Sequence, residues 1–206
     1  TDWSWAPLFV DLNNDGFRDL IISNGLPKDM SDLDFMAYRK DAVARTPAAE
    51  VMKQMPVVDV HNYVFRNNGD LHFTDEGKNW GLDQPSFSAG MASADLDRDG
   101  DLDILINNTN GPASLLENTE EKNKSHFLSI RLVGTEQNRK GFGSLITVYC
   151  DSLIQSSELT PYRGYMSSIS SDVHFGLGNH QRIDSVVIIW PNHQKQLIRN
   201  PKPDQL

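Results

Sequence analysis

The strongest constraint in this sequence is a nine-residue acidic segment that occurs twice. Asp11-Leu12-Asn13-Asn14-Asp15-Gly16-Phe17-Arg18-Asp19 recurs 84 residues later as Asp95-Leu96-Asp97-Arg98-Asp99-Gly100-Asp101-Leu102-Asp103. The flanks repeat as well: WAPLFV and AGMASA precede the two segments, and LIISN and ILINN follow them. Each copy therefore reads as apolar strand, acidic turn, buried strand, and self-similarity of this kind points to stacked β units. Side-chain oxygens stand at positions 1, 3, 5 and 9 of both segments, with Gly at position 6. Alternate positions of a tight loop converge on one point, and a glycine permits the bend because it carries no Cβ. Three carboxylates in the first segment and five in the second, held this close, repel one another unless a cation lies between them.

Calcium takes roughly 6–8 oxygen ligands at about 2.3–2.6 Å and suits such a loop. The expected ligands are Asp11, Asn13, Asp15 and Asp19 in the first loop and Asp95, Asp97, Asp99 and Asp103 in the second. Phe17 and Asp101, at position 7, would offer backbone carbonyls. Two Ca2+ sites follow, taking the formal charge from −9 to −5. These are not EF-hands: position 12 holds Ile22 and Ile106 where an EF-hand needs Glu, and strands rather than helices flank the loops. An ion here pins a strand-turn-strand; it does not open a helix pair.

Between the repeats, residues 28–56 break the strand pattern and predict a helical insertion. Ser31 reads as an N-cap with Asp34 in the first turn, and Leu33, Met36, Ala37 and Ala44 as one apolar face. Thr46-Pro47 predicts a second start, with Val51, Met52 and Met55 facing inward. Tyr63 to Phe73 reads as a hairpin turning at Asn68-Gly69-Asp70. Residues 1–118 are thus expected to form two propeller-type blades, 119–125 a polar linker, and 126–206 a β-sandwich. Its strands are 127–133, 145–149, 173–175 and 186–190. The fold class expected is mainly β.

The excess of acid excludes a nucleic-acid backbone as partner. No run of 18 apolar residues exists to span a membrane as a helix. Cys150 is the sole cysteine and reads as a small apolar strand residue. The chain opens at Thr1 without an apolar leader, which is expected of a mature or excised piece of a longer protein. None of the six histidines pairs at helical metal spacing, and no nucleophile elbow, phosphate loop or C-x-x-C is present. His174, in a strand, is expected to be structural. Tyr162, Arg163 and Tyr165 form an aromatic-basic cluster that could bind a sugar or protein, although a packed loop is the plainer expectation. Trp3, Trp5 and Trp80 are expected between blades.

DLNNDGFRDLIISNG and ADLDRDGDLDILINN resemble the calcium loops of FG-GAP/VCBS repeats, the blades of integrin-α-like β-propellers. FLSIRLVGTEQNRKGFGSLITVY, RGYMSS and VHFGLGNHQRIDSVVIIWP resemble the ASPIC/UnbV domain. Together they are similar to the C-terminal part of secreted or surface proteins related to cartilage acidic protein, and the helical insertion resembles versions from Bacteroidetes surface proteins. Two departures stand out. Two blades do not close a propeller of ~4–8, and Asn192-His193 occupies a turn after Trp-Pro where the family often has Gly.

The resemblance implies a calcium-binding, non-enzymatic module. It would sit in the extracellular space or at a cell surface, in a bacterium in association with the outer membrane. Its role would be adhesion to protein or glycan. The alternatives are an accessory to polysaccharide capture, or the C-terminal part of an enzyme whose active site lies upstream.

Overall fold

A computed structural model describes residues 3–58, 60–119 and 125–206. The chain is mainly β and built from antiparallel sheets. The first repeat opens a four-stranded meander of β1 (Ser4–Val10), β2 (Asp19–Asn24), β3 (Tyr63–Asn67) and β4 (Phe73–Asp75). The second opens a three-stranded meander of β5 (Ser88–Ala94), β6 (Asp103–Asn108) and β7 (Ser114–Leu116). The repetition extends to register. Ser4 pairs with Asn24 and Pro7 with Ile22, while Ser88 pairs with Asn108 and Met91 with Ile106. Both pairs of strands are irregular at the same place.

Strict alternation along β1 sends Ala6, Leu8 and Val10 inward and leaves Phe9 58% exposed. These side chains join Ile21 and Val64 from the first sheet and Met91, Ile104 and Ile106 from the second in one shared core. Each fully buried Leu or Ile contributes roughly 1.5–3 kcal/mol relative to exposure. The two meanders therefore cannot part without exposing several such side chains.

The insertion contains α1 (Leu33–Ala42) and α2 (Ala48–Lys53). Their starts and faces differ from the sequence expectation. Asp32, not Ser31, caps α1, its carboxylate accepting from the Phe35 amide at 2.6 Å, whereas Ser31 bonds instead to Asp29. Pro47 is the N-cap of α2, without a side-chain cap bond. Phe35, Val51 and Met55 form the small core between the helices, while Leu33 is 82% exposed and Met36 and Met52 face outward. Phe35, 5% exposed, packs its ring against Val51 and Met55 and so sets the buried face.

The C-terminal strands are β8 (His126–Ile130), β9 (Leu145–Cys150), β10 (Leu153–Glu158), β11 (Val173–Gly178), β12 (Ser185–Ile189) and β13 (Lys195–Arg199). One sheet runs β10-β9-β12-β13 and the other pairs β11 with β8. Ile146, Val148, Val186 and Ile188 from the first meet Leu128, Phe175 and Leu177 from the second in one core, which makes a two-layer sandwich. Cys150 is fully buried, as expected. Strands β10 and β13 carry no clear apolar signal. β13 is exposed along its whole length and β10 alternates weakly, because both lie at sheet edges. His193 adopts φ 65°, which accounts for glycine being favoured at that turn. The linker expected at 119–125 falls largely on residues outside those described.

Candidate metal centre

The two acidic loops adopt matching backbones. Asn14 and Arg98, at position 4, have φ 54° and 66°, and Gly16 and Gly100, at position 6, have φ 93° and 98°. Left-handed geometry at these positions turns the loop inward, and glycine adopts it without a Cβ penalty. Position 9 closes each loop. Asp19 accepts the Leu12 amide at 3.0 Å on one oxygen and the Asn67 amide at 2.9 Å on the other. Asp103 does the same with Leu96 at 3.0 Å and Asn118 at 2.9 Å. Each carboxylate thus ties its own loop to the strand that ends beside it, a latch that the spacing alone did not reveal.

Position 1 gathers the middle of the loop. Asp11 accepts from the Asp15 amide at 3.1 Å and the Gly16 amide at 2.9 Å, and Asp95 from the Asp99 and Gly100 amides, both at 3.2 Å. In the second loop, Asp95, Asp97 and Asp99 each bring one carboxylate oxygen within 4.8 Å of the others. Two oxygens that share an ion at roughly 2.4 Å lie no more than roughly 4.8 Å apart, so these three are placed to hold one. In the first loop the third position is Asn13, whose amide nitrogen donates to Asp15 at 2.8 Å. Phe17 lays its ring against Gly69 of the β3–β4 loop.

The electrostatics favour a cation. Burial, then the charge of Asp15, pushes the Asp11 carboxyl up to about 8. Burial raises Asp19 to about 6 against the pull of its two amides. Burial raises Asp95 too, and burial with the charge of Asp99 pushes Asp101 up to about 7. Asp101 is 5% exposed, and its Oδ1 is buried without a hydrogen-bond partner among the described residues. A buried carboxylate oxygen left unpaired among other acids is costly. A divalent ion would supply the missing partner, and the oxygen donor set fits calcium. The side chain of Asp101, expected to contribute only through its backbone, therefore faces the acidic cluster as well.

The C-terminal sandwich closes over these loops. Asn14 accepts the Gly178 amide at 2.7 Å through its backbone oxygen and meets His174 Nε2 at 2.6 Å through its side chain, while its own amide donates to Gly100 at 3.0 Å. A Cβ on Gly176 would lie 2.2 Å from Asp11 Oδ2, and one on Gly100 would lie 2.0 Å from the Phe127 ring. His174 stacks on Phe127, bonds Ser129 at 3.1 Å, and is held by burial at about 4. It is structural, as expected, and joins the first loop to the sandwich.

The aromatic-basic cluster divides. Tyr165 packs on Trp5 at 5.1 Å, and Gly164 lies over Ala6, so this loop docks on β1. Tyr162 is 77% exposed. Arg163 alone turns into a cleft of about 480 Å³ between the loops and the sandwich. Trp5 accordingly sits against the C-terminal loop rather than between the repeats, with Trp3 stacked on it, while Trp80 packs on the shared core.

Residues 56–106, which contain the second loop, match the FG-GAP-like repeat family, and residues 134–206 match the family described as ASPIC and UnbV. The chain is also similar to cartilage acidic protein 1 of Homo sapiens, at 39% identity over 70 residues, which are 34% of this chain and 11% of that protein. The Mus musculus and Xenopus tropicalis forms are each 37% identical over the same share. The aligned stretch thus spans about a tenth of the length of these relatives. The chain thus carries a stretch similar to an FG-GAP-like repeat followed by one similar to an ASPIC and UnbV domain.

Proposed function

We propose that this chain is a calcium-stabilised, non-enzymatic module of a secreted or surface protein that works by binding a protein or glycan. One observation carries the metal reading: a buried Asp101 oxygen, Oδ1, without a hydrogen-bond partner among the described residues, in a loop that recurs in matching geometry. Two Ca2+ sites follow, with Asp11, Asn13, Asp15 and Asp19 around one ion and Asp95, Asp97, Asp99 and Asp103 around the other. Position 7 contributes to each through Phe17 and Asp101.

Residues 1–118 act as two propeller-type blades and 126–206 as a separate sandwich clamped onto their loops. Short acidic loops of this kind suit the ~10⁻⁴–10⁻³ M affinities of extracellular modules. An extracellular or cell-surface setting is where calcium at that level is present. At about 1 mM calcium and a Kd near 0.1 mM, each site adds roughly 1.4 kcal/mol of stability.

Calorimetry and thermal melting of EDTA-stripped protein test this. Two binding events and a rise in Tm at millimolar calcium are expected, and no heat with an unchanged Tm rejects the reading.

A further inference from the structure

The cleft between the first loop and the sandwich holds a pair of arginines that the metal reading leaves unused. Arg18 donates to the Ser156 carbonyl at 3.0 Å, and Arg163 donates to the Glu158 carbonyl at 3.0 Å and to Tyr162 O at 3.0 Å. Ser156 and Glu158 are two residues apart on β10, the edge strand of its sheet, so their outward carbonyls stand roughly 7 Å apart. The two guanidinium groups are thereby anchored side by side along one open sheet edge. Each has five N–H donors and spends only one or two on backbone.

Among the described residues neither has a carboxylate in salt-bridge contact, whereas the neighbouring Arg131 is held bidentately by Asp172 at 2.6 and 2.7 Å.

The rest of the cleft is polar and mixed in charge: Asp172 and Asp204 are engaged by Arg131 and His126, Asp11 and Asp95 by amides of their own loops, and Glu158 and Arg98 also line it. Ser93, Ser157, Thr160 and Ser170 line it, and Phe9 offers a largely exposed ring at its edge. Its volume lies within the roughly 300–1,000 Å³ of small-ligand sites. Paired guanidinium forks suit a carboxylate or sulfate, hydroxyl walls suit a polyol, and an exposed ring suits the apolar face of a sugar. A net charge of −9 repels a long polyanion but leaves a short one free to enter. We propose that this cleft binds a short acidic saccharide, its carboxylate or sulfate held between Arg18 and Arg163 and its ring resting on Phe9. This names the ligand class for the binding function proposed above and rests on that reading.

The test is calorimetric titration of the calcium-saturated chain with glucuronate, glucose 6-sulfate, glucose and acetate. Both acidic sugars are expected to bind, and glucose and acetate to bind roughly tenfold more weakly or not at all. Arg163→Gln and Arg18→Gln are each expected to lose roughly tenfold in acidic-sugar affinity. Both should keep the calcium-induced rise in Tm. Arg163→Gln is the safer variant, because Arg18 also braces the contact with β10.

Equal binding of glucose, equal binding of acetate, or unaltered affinity in Arg163→Gln overturns the proposal. Absence of glucuronate binding with the calcium shift intact overturns this proposal alone, and loss of the calcium shift in the parent chain overturns the reading beneath it.

Discussion

Asp101→Asn should change sign with calcium. In metal-free protein Asp101 Oδ1 is buried without a partner among the described residues, and burial together with Asp99, Asp103 and Asp97 disfavours its charge. An unsatisfied buried acceptor costs about 1–3 kcal/mol. A like charge about 5 Å away adds roughly 0.8 kcal/mol in water and up to roughly 3 kcal/mol at an effective dielectric of 20. Asn has the same shape, carries no charge and offers a donor to the surrounding carboxylates. Metal-free Asp101→Asn should therefore be more stable than the parent by about 1–3 kcal/mol at pH 8 and low salt.

The pH dependence follows from the direction of the shift. A carboxyl whose folded pKa is raised from 3.8 to about 7 contributes most below 4, and its contribution is lost as pH climbs through 7. The advantage of the variant should accordingly shrink at pH 5 and vanish only below about pH 4. In saturating calcium the order reverses, because the parent's carboxylate then has its partner. Urea unfolding in EDTA and in 5 mM calcium, at pH 5 and pH 8, measures all four cases. If metal-free Asp101→Asn at pH 8 is no more stable than the parent, the electrostatic argument for a cation in this loop is wrong.

Other outcomes follow from the same geometry. Gly176→Ala should destabilise by about 2–4 kcal/mol in urea unfolding, because its Cβ would press on Asp11 and the Asn14 backbone and strain the Gly178–Asn14 bond. Gly111→Ala, whose Cβ meets its nearest atom at 3.7 Å, should stay within about 0.5 kcal/mol. His174, lowered from 6.5 to about 4, favours the fold above pH 6.5 and loses that contribution as pH falls toward 4. The stability difference between the parent and His174→Gln should shift by about 1–3 kcal/mol across that window, read by denaturation at several pH values. Asp32→Ala should cost about 1 kcal/mol and speed hydrogen exchange at the Phe35 amide, leaving the loops untouched.

Much of this architecture is legible in the residues because it is local. Alternation along 4–10 and 88–94, the paired acidic turns and the Asn-Gly-Asp hairpin each depend on neighbours a few residues apart. The spacing of oxygens at positions 1, 3, 5 and 9 identified the loops, and Gly16 and Gly100 stand where the backbone turns left-handed. Choices between nearly equal partners were less legible. Asp32 outcompeted Ser31 as a cap, and Phe35 displaced Leu33 and Met36 from the helical core, since packing rather than pattern decides which face is buried.

The sequence by itself determined that two acidic, glycine-hinged loops would each run into a buried strand, because that follows from side-chain period and like-charge repulsion. Only the tertiary structure decided that both loops lie beneath the C-terminal sandwich. There Gly176, Gly178 and His174 meet Asn14 from 160 residues away. It alone placed Arg18 beside Arg163 on one strand edge. Contacts of that span depend on how two cores settle against each other, and no periodicity along the chain encodes that fit.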